Sequence, residues 1–157
     1  MRKNASSPLT LNEALHKATT LCSQAEHCCT DMREKLTRWG VKVDDADQIV
    51  NRLVHEKYID EQRYARAFTH DRLLYSKWGR IKIQAQLRQL RISGVFIREA
   101  LEAIPQEEYD GILRGVLQEK FHILGDNHDQ DTRNKVIRFA LQRGFDMEEI
   151  IGAIDSI

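Results

Sequence analysis

No stretch of this 157-residue chain is apolar for long enough to span a bilayer. Its opening residues, MRKNASSP, lack the apolar segment of a secretory leader and read, as residues 1–9, as a disordered tail. Cysteine is scarce. Cys22, Cys28 and Cys29 are an odd number crowded into one region, which argues against a secreted disulfide framework and for free thiols in a reducing compartment. With His27 they invite a zinc reading, but adjacent cysteines do not reproduce the C-x₂₋₄-C spacing of structural sites. The other histidines are scattered, with no H-E-x-x-H or comparable pair. Also missing are a phosphate loop, a G-x-G-x-x-G turn, a nucleophile elbow and paired carboxylates placed for acid–base work. No segment alternates polar and apolar residues long enough to argue for a sheet. The expectation is a cytosolic, all-α protein that is not an enzyme and needs no metal or cofactor.

Charge of one sign is also missing from the total, since 24 basic residues balance 24 acidic ones. The distribution is uneven. Residues 1–57 carry nine basic and eight acidic residues, 58–104 carry nine and five, and 106–157 carry six and eleven. The middle is basic (+4), the last third acidic (−5), and the chain is expected to be electrically polarised along its length.

Helical periodicity organises the chain. Thr10 and Glu13 stand at capping-box spacing ahead of Leu11, Leu15, Ala18 and Cys22. A second helix runs through Met32 and Leu36 to Trp39, where Gly40 is placed to end it, and Ala46, Ile49, Val50 and Leu53 mark a third. When Gly40, Arg91 and Gly144 are aligned, Met32 and Leu36 match Ile83 and Leu87, then Val136 and Ala140. The next residue is apolar each time (Val41, Ile92, Phe145), and Ala46, Ile49, Val50 and Leu53 recur as Ile97, Ala100, Leu101 and Ile104, then Ile150, Ala153, Ile154 and Ile157. This degenerate repeat predicts three tandem three-helix repeats over 10–57, 58–105 and 106–157, with Pro105 at the second boundary. Stacked repeats predict an elongated, curved helical array, and a monomer, because the end repeats spend their apolar faces on the middle one.

The most specific stretch is YIDEQRYARAF at 58–68, followed by Arg72 and then GRIKIQAQLRQL from Gly79. Asp60 is placed to cap a helix, with Ile59 and Tyr64 at hydrophobic-staple spacing. At 100° per residue, Tyr64, Ala67, Phe68, Asp71, Leu74, Tyr75 and Trp78 share a face, so Asp71 is expected to be buried and hydrogen-bonded. These residues, with REAL at 98–101, resemble the central signature of the RecX family of bacterial regulatory proteins. The resemblance implies a three-repeat helical fold and a modulator of the RecA recombinase. Such a protein docks in the groove of the RecA filament on single-stranded DNA and restrains its growth, strand exchange and co-protease activity. It would thereby regulate homologous recombination and the SOS response. The family usually has glycine where this chain has Arg91, so a left-handed helix ending is not expected there and Gly94 is the candidate for the turn.

From Arg72 to Arg98 there are seven basic residues and no acidic one. Arg72, Lys77, Arg80, Lys82, Arg88, Arg91 and Arg98 are therefore the candidate partner- or DNA-binding residues, set against the plain alternative of a solvated helix flank. Arg80, Arg88 and Arg91, with Gln84, share one flank of their helix, and Lys82 lies on another side. Arg63 and Arg72 read as internal ties more than as contacts, and Trp39, Trp78, Tyr58, Tyr64 and Tyr75 read as core rather than as base-stacking platforms. Gly111 and Gly115 share a face where a neighbouring helix is expected to approach closely. The expected partner is the RecA filament, with single- or double-stranded DNA as a further one, and the competing reading is a stand-alone helical nucleic-acid-binding protein.

Overall fold

A computed structural model describes residues 9–157, so the tail expected over residues 1–9 lies almost wholly outside the described residues. Among those described there are nine α-helices and no strand: α1 Leu11–Gln24, α2 Cys29–Arg38, α3 Val43–His55, α4 Glu61–Leu74, α5 Arg80–Gln89, α6 Gly94–Glu102, α7 Gln106–Ile123, α8 Gln130–Gln142 and α9 Met147–Ile154. None is long and apolar enough to cross a membrane. The chain forms two compact units, divided inside α4 after Tyr64.

In the first unit, α1–α3 enclose Ala14, Ala18, Met32, Leu36, Ile49, Val50 and Leu53, residues that sit three or four apart on their helices. Thr10 Oγ1 accepts the Glu13 amide at 3.2 Å, and Asp60 Oδ1 accepts the Arg63 amide at 3.1 Å at the start of α4. Cys28 caps α2 with its sulfur, and all three cysteines are free. Burial, then the Glu61 carboxylate beside it, pushes the Cys29 thiol up to about 12. Burial raises Cys22 and Cys28 as well, so these are inert thiols. Arg63 is an internal tie, bridging to Glu26 and donating to the carbonyls of Lys57 (3.3 Å) and Tyr58 (3.4 Å).

The repeat read from the sequence has a backbone counterpart. After α2, α5 and α8 the chain turns through a left-handed residue: Gly40 (φ 83°), Arg91 (φ 59°) and Gly144 (φ 95°). Each time the following amide reaches back five residues, Val41 to Leu36 O, Ile92 to Leu87 O and Phe145 to Ala140 O, at 3.0–3.2 Å. The expectation that Gly94 would replace Arg91 in this turn is therefore corrected. A non-glycine residue in this conformation costs about 1–2 kcal/mol. Two back-bonds, from the Arg91 amide to Arg88 O (2.9 Å) and from the Ile92 amide to Leu87 O (3.1 Å), and the burial of Ile92 offset that cost. Gly94 opens α6 instead.

Three other expectations fail. The buried side of α4 is Ala65, Thr69 and Leu73, not the stripe centred on Phe68 and Asp71. Asp71 is exposed, beside His70, and Tyr75 is 79% exposed. The buried positions are the smaller residues at the centre of the face, while the larger Phe68 and Trp78 are half-buried. Tyr58 is likewise exposed, and Trp39, Tyr64 and Trp78 are half-buried rather than core. Gly111 and Gly115 are exposed, with nothing near enough to meet an added Cβ, so no helix crosses there.

Close backbone approach occurs at Gly79. A Cβ there would fall 2.3 Å from the carbonyl oxygen of Gly144. The amides of Gly79 and Ile81 donate to Arg143 O (2.8 Å) and Gly144 O (3.0 Å), and between them the Arg80 amide donates to Tyr109 Oη (3.1 Å). The open amides at the start of α5 are thus satisfied by the open carbonyls at the end of α8 and by a phenol from α7.

Candidate interaction surface on the second unit

The seven basic residues predicted to face a partner fall into four situations. Arg88, Arg91 and Arg98 are exposed and have no ion pair among the described residues. Arg88 lies near the end of α5, Arg91 on the turn that follows and Arg98 in α6. Arg88 and Arg91, at and just past a helix C-terminus, also carry the sign of charge that the helix dipole favours there.

Arg80 differs, because it has partners inside the fold. Its guanidinium stacks 3.8 Å from the centroid of the Tyr109 ring, pairs with Glu149 at 3.3 Å and donates to Gln106 at 3.1 Å. Local charge counting does not reveal this pairing, because the carboxylate comes from α9, 69 positions away. Burial holds Glu149 above the usual carboxylate range even with Arg80 against it. Burial likewise pushes the Tyr109 phenol up to about 12, which keeps it neutral beneath Arg80.

Arg72 and Lys82 meet at one ring. The Arg72 guanidinium lies 4.9 Å and the Lys82 ammonium 4.5 Å from the Trp78 centroid, with Phe68 set edge-on to the indole at 6.3 Å. Arg72 also donates to Ser76 Oγ at 3.3 Å. Lys82, which helical spacing set apart from the other cations, is joined to Arg72 through this tryptophan.

Lys77 sits after α4 in a left-handed conformation (φ 57°) and lines a pocket of about 160 Å³ with Lys120 of α7 and Arg143. The latter two lie over the Phe139 ring, at 4.7 and 5.1 Å from its centroid. Sequence reasoning missed Lys120, Phe139 and Arg143, because an acidic total for residues 106–157 hides a local basic cluster. Nothing in the spacing of these residues marks them as neighbours.

Comparison with known proteins adds a separate line of evidence. Residues 60–101 match the family described as "RecX, second three-helix domain". The chain is 28% identical over 138 residues to the regulatory protein RecX of Oceanobacillus iheyensis, covering 85% of this chain and 51% of that one. It is therefore about half as long as that relative. It is 26% identical over 137 residues to regulatory protein RecX of Vibrio parahaemolyticus, covering 87% of this chain and 86% of that one. The crystal structure of RecX from Lactobacillus salivarius superposes with a TM-score of 0.77 at 17% identity, over 93% of this chain and 95% of that one. A second, titled as regulatory protein RecX, gives 0.78 at 19% identity, over 92% of this chain and 73% of that one.

Proposed function

The chain is a RecX family protein, and we propose that it regulates the RecA recombinase by binding the RecA filament on single-stranded DNA and restraining its extension, with no chemistry of its own. Homologous recombination and the SOS response are the processes it would restrain. One observation carries this reading: Arg88, Arg91 and Arg98 are solvent-facing and have no acidic partner among the described residues, within or beside the segment that matches the family. Unpaired guanidinium groups keep their field and present fork geometry to phosphates or carboxylates. The acidic excess of residues 106–157 would meet basic filament surface. Opposite charges at separated points set orientation and encounter rate more than affinity.

Replacing Arg88, Arg91 and Arg98 together by Glu is expected to abolish inhibition of RecA-driven ATP hydrolysis. Circular dichroism should remain that of the parent, because none of the three has an ion pair among the described residues. Arg80 is left out of the set, since its reversal would strike the Tyr109–Glu149 contact. Full inhibition by the triple variant would refute the proposal. Tight binding to naked single-stranded DNA, with a salt slope reporting several phosphate contacts, would instead favour a stand-alone nucleic-acid-binding protein.

A further inference from the structure

The pocket at Lys77, Lys120 and Arg143 has a composition that the filament-regulator reading does not use. Its floor is apolar, built from Val116 and Phe139, and Ile123 at its edge is 66% exposed. Three cations border it against one acid, Glu119. Two of the cations are held in place: Lys120 and Arg143 rest on the Phe139 ring, and Arg143 also donates to Ser76 O at 2.9 Å. A guanidinium has five N–H donors, so that single bond leaves most of them for a ligand.

We infer that this pocket between α7 and α8 docks a short acidic peptide segment of a partner protein, with one aliphatic side chain inserted between Val116 and Ile123 and flanking carboxylates on Lys77, Lys120 and Arg143. The apolar floor calls for a ligand with an apolar group, and the charged border calls for anions on either side of that group. A single-stranded nucleic acid fits less well. The π-face on which a base would stack is already occupied by cations.

The test is a titration of the isotopically labelled full chain, followed by amide chemical shifts. The probe is a peptide with one leucine flanked on each side by three glutamates. Shifts are expected to cluster at Lys77, Lys120, Ile123, Phe139 and Arg143, and serine in place of the leucine should weaken binding about tenfold. Ile123→Glu and Lys120→Glu should each weaken it about tenfold. Ile123 is exposed, so its variant tests the pocket without disturbing the core, and unchanged shifts elsewhere will establish that it is folded. Equal binding of the serine peptide, shifts centred outside the pocket, or no binding would overturn the inference. So would displacement of the peptide by a thymidine oligonucleotide, which would make this a nucleic-acid site. None of these outcomes depends on RecA, so failure here is separable from failure of the proposed function.

Discussion

Replacing Gly79 by alanine should be among the most damaging single-methyl changes available in this chain. The new Cβ would lie 2.3 Å from Gly144 O, 2.4 Å from Gly144 C and 2.5 Å from the Phe145 nitrogen, all backbone atoms that no rotamer change can clear. Ordinary carbon contacts need about 3.5 Å, so the two backbones must part by roughly 1 Å. Hydrogen bonds of 2.8 Å (Gly79 to Arg143) and 3.0 Å (Ile81 to Gly144) do not survive that separation. Each bond lost in a closed junction costs about 1–2 kcal/mol. Displacing the Arg80 amide from Tyr109 adds a similar amount, for about 3–6 kcal/mol in all. Thermal unfolding by calorimetry should show a midpoint lowered by on the order of 10 °C. The same substitution at Gly111 or Gly115, where an added methyl meets nothing, should instead raise stability by up to about 1 kcal/mol. A Gly79→Ala protein as stable as its parent would refute the junction described here.

Arg91→Gly should stabilise the chain by up to about 1 kcal/mol in urea unfolding, because glycine adopts φ 59° without strain, while removing one candidate partner contact and so weakening inhibition of RecA. Tyr109 ionises late because its fold favours the neutral phenol. Its contribution to stability is full below the ordinary value of 10.0 and is lost as pH rises through about 12. The tyrosinate absorbance titration should contain a step near 12 that Tyr109→Phe lacks.

Helix positions and most core residues were legible in the sequence because apolar residues at i, i+3, i+4 and i+7 leave one stripe to bury. Ala46, Ile49, Val50 and Leu53 are buried as that spacing requires. In α4 the same rule chose the wrong side. Hydrophobicity weights Phe68 and Trp78 heavily, whereas the buried positions are Ala65, Thr69 and Leu73. The turn at Arg91 was misjudged because residue preference is a weak guide where two back-bonds and a buried Ile92 hold the backbone. Arg80 and the Lys77 pocket were out of reach for a common reason. Their partners, Glu149, Lys120 and Arg143, are distant in sequence, and local charge counting does not register them.

The splice at Gly79 means that α5 begins on the very carbonyls with which α8 ends. Arg143, whose carbonyl belongs to that splice, is also a wall of the cationic pocket, and Arg88 lies two turns further along α5. The pocket wall at Arg143 and the exposed Arg88 are therefore linked through one helix junction. A partner that engaged both would have to match the interval this junction sets, reading distance as well as charge.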